Sequence, residues 1–143
     1  MEKFLSRGEC PKLKVYNTLS REKETFETVD EGKVRMYVCG LTVQNYSHLG
    51  HVRGAINYDV IRRYLEYKGY DVTYISNFTD INEKIIARAE LEDMKPEDLA
   101  EKYSKAFLDD LKNLNIKKAD AYCKATENIN TIQEMVETLI EKG

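Results

Sequence analysis

The sequence predicts an α/β fold: a strand–helix–strand unit of a parallel sheet, followed by a helical segment. Three observations carry this. Apolar residues alternate with period two in VRMYVC (34–39) and again in DVTYISNF (71–78). Between them the period lengthens, with Ile56, Val60 and Tyr64 at four-residue spacing and Ile61 and Leu65 beside them, so residues 52–68 read as an amphipathic helix. Strand, helix and strand in succession form a βαβ unit, whose strands are parallel and whose crossover is right-handed.

The elements follow in order. Residues 1–12 read as a loose tail closed by Pro11, and LKVY (13–16) as a short strand. NTLSREKETFETVDEGK is a polar connection ending in a turn at Asp30-Glu31-Gly32. In the next strand Val34, Met36 and Val38 share one face, with Arg35, Tyr37 and Cys39 on the other. Gly69 sits where a glycine ends a helix. Past the second strand, INEKIIARAELEDM is helical, and Pro96 with Glu97 and Asp98 opens another helix, since proline and acids suit a first turn. That helix carries the stripe Leu99, Tyr103, Phe107, Leu111 and Leu114. A last helix, from Thr126 onward, carries Ile129, Ile132, Val136, Leu139 and Ile140. Two strands with three trailing helices leave a doubly wound sheet incomplete, so the chain reads as the front of a larger α/β unit.

Composition narrows the class. Among 143 residues, 42% are apolar and 33% charged, which fits a soluble globular protein. With 22 Lys+Arg against 25 Asp+Glu the net charge is −3, so the whole chain does not advertise nucleic-acid binding. Cys10, Cys39 and Cys123 are odd in number and lack CxxC spacing, which argues against a disulfide scaffold and for a reduced, cytoplasmic setting. MEKFLSRGEC holds no signal-peptide core, and no window approaches the roughly 18 apolar residues of a membrane span.

Both histidines lie in one stretch, CGLTVQNYSHLGH (39–51), which admits three chemistries. Cys39, His48 and His51 are all zinc-type ligands, but zinc usually takes four and their spacing is not that of a finger, so Cys39 alone, with partners elsewhere, is the plausible metal reading. Cys39 with a histidine would make a nucleophile and base, yet no Asn or Asp is placed to orient the imidazole. The third reading is an anion site. His48-Leu49-Gly50-His51 stands where a strand gives way to a helix, at the carboxyl end of a parallel strand, where ligands bind in open α/β sheets. Helix amides favour phosphate there, the two histidines share one helical face, and Gly50 lets a base or ribose approach the backbone. Two histidines that simply cap the helix are the bland alternative.

MYVCGLTVQNYSHLGHVR resembles the signature of class I cysteinyl-tRNA synthetases, in which MYVCG-x-TVY precedes an HIGH-type motif. The likeness extends to VYNTLSREKETF before it and to DVIRRYLEYKGYDVTYISNFTDINEKIIARA after it, and covers the chain from residue 13 to its end. YVCG-x-TV, HLGH and N-x-TDIN-x-KII in that order are specific to the cysteine enzyme and its close relatives. The resemblance implies that residues 13–143 are the amino-terminal portion of a Rossmann-like catalytic domain, reaching the start of a connective insertion. It implies ligation of L-cysteine to tRNA(Cys) through cysteinyl-adenylate, with ATP and Mg2+. Residue by residue, Cys39 matches a Zn2+ ligand, and Gly40, Thr42 and Thr79 match contacts to cysteine. His48, Gly50 and His51 match the ATP-binding motif, the two histidines being catalytic.

Blander roles stand beside these: Cys39 as a small buried hydrophobe, and Thr79 and Asp80 as helix caps. Lys84 and Arg88, one turn apart, read as solvated face rather than ATP contacts, and Tyr58, Tyr64, Tyr67, Tyr70 and Tyr74 as packing rather than a base-stacking platform. The sequence departs from the family at Gln44-Asn45, where Tyr-Asp is usual, and at Gly54, where threonine is common. A KMSKS-type loop, the downstream zinc ligands and an anticodon-binding region are not in the sequence. The expectation is therefore half an active site, inactive alone, with the rest of a synthetase as partner. Two other readings remain: a non-catalytic nucleotide- or cysteine-binding module derived from the synthetase, and a cysteine ligase acting on an amino sugar in thiol-cofactor synthesis.

Overall fold

A computed structural model describes residues 12–143, so the predicted tail lies outside the described residues apart from Lys12. The first two strands, β1 (Lys14–Asn17) and β2 (Glu22–Thr25), form an antiparallel hairpin in register from Lys14↔Thr25 to Asn17↔Glu22. Sequence reasoning placed β2 in a polar connection. The correction has a plain cause: EKET has no apolar face, and the strand is held by backbone pairing with its side chains exposed.

The parallel unit is as predicted. β3 (Lys33–Val38), α1 (Leu49–Tyr67) and β4 (Asp71–Phe78) make the βαβ crossover, with β3 and β4 paired from Lys33↔Asp71 to Val38↔Ser76. Then follow α2 (Glu83–Leu91), α3 (Pro96–Asn113), β5 (Ala121–Lys124), a short 3-10 turn (Thr126–Asn128) and α4 (Ile129–Lys142). β5 corrects the expectation of two sheet strands: it pairs parallel to β4, giving the order β3-β4-β5. Four residues are too few to show a period in sequence, so pairing rather than patterning defines this strand.

The main core lies between the sheet and α2 and α3. It contains Val43, Phe78, Ile85, Leu99 and Tyr103, with Phe107 and Leu111 continuing the predicted α3 stripe. Leu114 falls outside it, as the half-exposed C-cap residue. A smaller cluster, Val34, Leu65 and Val72, takes in Leu13, Phe26 and Tyr70 at the hairpin end. Among the described residues, no helix is long and apolar enough to cross a membrane.

α1 starts three residues earlier than predicted, because HLGH itself forms its first turn, and it turns an unexpected face to the sheet. Ile56, Val60, Ile61 and Tyr64 are all exposed, whereas Arg62 is buried beside Leu65. The Arg62 guanidinium pairs with Asp120 at 3.1 Å and Glu66 at 3.2 Å, donates to the Lys118 carbonyl at 2.8 Å, and lies over the Tyr74 ring. A hydropathy period cannot register a helix whose inner face is fastened by one arginine. The tyrosines are likewise divided: Tyr74 packs beneath Arg62, whereas Tyr67 is 84% exposed and packs little. No residue of α4 is buried, so its apolar stripe faces outward.

Gly54 lies inside α1 with open space where a Cβ would stand. Gly54→Ala is expected to raise stability by about 0.5–1 kcal/mol, the helical advantage of alanine, read as a higher urea midpoint.

Candidate functional site

At the carboxyl end of β3 the chain neither turns away nor continues in register. Val38 pairs with Ser76 while Thr42 pairs with Thr79, so the β3 side carries one more residue than the β4 side. That extra residue is a bulge spanning Cys39–Leu41. Beyond it pairing resumes: Thr79 N–H donates to the Leu41 carbonyl at 3.1 Å, and Val43 N–H to the Thr79 carbonyl at 3.3 Å.

Two β4 side chains pin the bulge. Ser76 Oγ donates to the Val38 carbonyl at 2.9 Å, and Asn77 Oδ1 accepts both the Gly40 N–H at 2.7 Å and the Tyr37 hydroxyl at 2.9 Å. The backbones come so close that a Cβ on Gly40 would lie 1.6 Å from the Asn77 carbonyl oxygen. The resemblance implied a cysteine contact for Gly40 and assigned no role to Ser76 or to Asn77, the first residue of N-x-TDIN. The available signal was a Ser-Asn pair inside an otherwise apolar-alternating strand.

Loop 44–48 then crosses to α3. Ser47 Oγ donates to Asp110 Oδ2 at 2.5 Å, and Tyr46 stands edge-on to Tyr103 with centroids 5.1 Å apart. His48 is the N-cap of α1. Its Nδ1 accepts from Gly50 N–H at 3.1 Å, while His51 Nδ1 accepts from His48 N–H at 3.3 Å. The rings stack with centroids 3.6 Å apart. The capping alternative therefore holds, and it carries a chemical consequence: with both Nδ1 atoms accepting, each neutral imidazole keeps its proton on Nε2. Capping uses one nitrogen of each ring and leaves an Nε2–H donor on the other. Gly50 serves this cap, because a Cβ there would come within 2.9 Å of His48 Cε1.

His51 titrates below the ordinary 6.5 of histidine, first because burial disfavours its cation and then because His48 adjoins it. The folded state thus binds this proton less readily than the unfolded chain. Stability falls as pH drops from 6.5 toward the lowered value, and protonation at Nδ1 removes its bond to His48 N–H. A proton NMR titration is expected to give His51 a midpoint below 6.5; a midpoint at or above it would contradict this account.

A cleft of about 560 Å³ brings these pieces together. Cys39, Gly40 and Thr42 line it at the β3 end, and His48 and His51 at the start of α1. Tyr74, Ser76 and Phe107 are among its deeper walls. Thr79 and Gly50 stand behind this lining, Thr79 through its backbone bridge to Thr42 and Gly50 beneath His48. Cys39 is exposed, which corrects its reading as a buried hydrophobe. Gln44, Asn45 and Gly54, the three departures, all line the cleft, and Gln44 Oε1 is buried with no partner among the described residues.

The caps after β4 are also reassigned. Asn82, not Thr79 or Asp80, caps α2 by accepting Lys84 N–H at 2.9 Å. Asp80 instead receives the N–H and hydroxyl of Thr126 at 3.1 and 2.5 Å, tying β4 to the turn before α4. Among the described residues no three His, Cys, Asp or Glu side chains gather as a metal site, so the zinc reading rests on Cys39 alone.

The family model for the class I (C) tRNA synthetase catalytic domain matches residues 25–143. Similar curated relatives are cysteine–tRNA ligases of Pyrococcus horikoshii, 55% identical over 131 residues, and Geobacillus thermodenitrificans, 53% identical over 132. That of Thermococcus kodakarensis is 54% identical over 131. Each alignment covers 92% of this chain and 28% of the relative, so the chain spans just over a quarter of these relatives' length. Among solved structures, Mycobacterium tuberculosis methionyl-tRNA synthetase in complex with methionyl-adenylate superposes with a TM-score of 0.62 at 22% identity. That match covers 66% of this chain and 18% of that one, and is a likeness of fold.

Proposed function

The chain belongs to the class I (C) tRNA synthetase catalytic-domain family, and from that premise we propose that it forms the ATP- and cysteine-binding part of a cysteine–tRNA ligase. The reaction would activate L-cysteine with ATP as cysteinyl-adenylate and pass it to tRNA(Cys). One observation carries the reading: Cys39, Gly40 and Thr42 share a single cleft with His48 and His51 at the carboxyl end of a parallel strand.

In this reading the Nε2–H groups of His48 and His51 donate to oxygens of the ATP α-phosphate, where charge builds as cysteine attacks. The donors cost nothing to orient, since the caps already fix both rings. Gly50 acts through His48, and Thr79 through the backbone that carries Thr42 toward the amino acid. Mg2+ would accompany the ATP phosphates. Cys39 would supply one thiolate to a Zn2+ ion, which favours a thiolate substrate over a hydroxyl. The described residues offer that single ligand, and no step above is routed through the metal.

A second reading follows from the lining. Because Gln44, Asn45 and Gly54 all border the cleft, a module that binds nucleotide or cysteine without turnover fits the same geometry. The experiment is a pair of measurements. Calorimetry on the 143-residue chain is expected to detect ATP binding, and cysteine-dependent ATP–pyrophosphate exchange by the same chain to be negligible. A protein joining this chain to the remaining length of a relative is expected to exchange and to charge tRNA. Exchange without tRNA charging would favour a ligase for another acceptor, such as an amino sugar. Failure of the joined protein to exchange, with ATP still bound, would favour the module. No ATP binding at all would end the reading, and vigorous exchange by the short chain would refute its half-site form.

A further inference from the structure

Four ordinarily charged side chains line the cleft: Asp59, Arg62, Lys84 and Lys117. Three are engaged within the fold. Asp59 accepts Arg63 Nε at 2.7 Å and the Lys117 backbone N–H at 3.0 Å. Arg62 is held by Asp120 and Glu66, and Lys117 Nζ pairs with Glu66 at 2.5 Å. The Lys84 ammonium has no hydrogen bond or ion pair among the described residues.

Its place in the chain makes this unusual. Lys84 is in the first turn of α2, just after the Asn82 cap, where the aligned peptide dipoles favour a negative charge. Glu83 in the same turn complements that dipole, whereas the exposed Lys84 adds to its positive end. α1 follows β3 after the bulge and loop 44–48, and α2 follows β4 after residues 79–82, and both helix starts contribute to the cleft lining. His48 and His51 line the cleft from α1 and Lys84 lines it from α2.

We infer that Lys84 binds the phosphate chain of a nucleoside triphosphate held in this cleft, as a positive point charge opposite the His48–His51 donors. The inference rests on the ATP-binding reading above and adds a residue to it. An ammonium suits this role as a compact point charge with three rotatable donors. The alternative, a solvated lysine on the face of α2, predicts no effect confined to phosphate.

Calorimetry with adenosine, ATP and inorganic tripolyphosphate tests this on the full chain. It compares the unaltered protein with Lys84→Gln, Lys84→Arg and Lys105→Gln, the last removing an exposed charge from α3 outside the cleft lining. Lys84→Gln is expected to weaken ATP and tripolyphosphate about tenfold while leaving adenosine unchanged, Lys84→Arg to restore most of the loss, and Lys105→Gln to change little. Unchanged ATP affinity in Lys84→Gln would overturn the inference. So would equal weakening of adenosine and ATP, or an equal effect of Lys105→Gln. An unaltered protein that binds adenosine and ATP equally would overturn the role of Lys84 and spare the nucleotide cleft. Binding neither would overturn both.

Discussion

Gly40→Ala is expected to destabilise the fold by about 3 kcal/mol or more, the upper range for forcing an extra carbon into a packed site. The new Cβ would stand 1.6 Å from the Asn77 carbonyl oxygen, 2.8 Å from its carbon and 3.1 Å from Ser76 Oγ. The first two are backbone atoms in the central strand, so no side-chain rotation relieves them. The bulge would have to lift, releasing the 2.7 Å bond from Gly40 N–H to Asn77 and disturbing the Thr42–Thr79 pairing beyond. Urea denaturation checks this: with a slope of roughly 2 kcal/mol per molar, the midpoint should fall by about 1.5 M. A fall below about 0.5 M would show that the strands can part locally. Asn77→Ala serves as companion, since it removes the acceptor shared by Gly40 and Tyr37 without adding volume. About 1–2 kcal/mol is expected from it.

The second large effect concerns His48, where two substitutions separate structure from binding. His48→Ala removes both the cap and the Nε2–H donor. It is expected to cost about 1 kcal/mol of stability and to weaken ATP about 10–100-fold, the worth of a hydrogen bond to a charged phosphate. His48→Asn places a favoured capping side chain at the same position. It is expected to keep stability within a few tenths of a kcal/mol of the unaltered protein while losing the same affinity. Thermal melts and calorimetry on the pair discriminate the roles. If His48→Asn binds ATP normally, the imidazole is a cap and nothing more.

The strand–helix–strand unit was legible because period two and period 3.6 are local properties of a chain. Those periods place β3, β4 and the α3 stripe within a residue or two. What escaped was whatever depends on a distant partner. β5 is a strand only because β4 lies beside it, and the inner face of α1 is set by Arg62 reaching Asp120 across 58 positions. The site shows the same division. HLGH marked a helix start, so His48 and His51 were found. Asn77, Ser76 and Asp110 act through contacts 37, 38 and 63 residues away, which no local period specifies. Gly40 was singled out by resemblance, and the structure supplies a packing reason for it that no spacing argument contains.

The bulge after β3 also sets which side of the cleft can yield. Its sheet side is fastened three times to one strand, through Ser76, Asn77 and the Thr79 bridge, and β4 has a neighbour on either side. The opposite side reaches α3 through one hydroxyl–carboxylate bond and one edge-on ring contact, at Ser47 and Tyr46. Sheet and loop therefore act as anvil and latch. A ligand too bulky for the resting cleft would be accommodated by lifting loop 44–48, while the Cys39–Thr42 side kept its position. The cleft thus has one wall fixed by the sheet, at Cys39–Thr42, and one held by two side-chain contacts to α3.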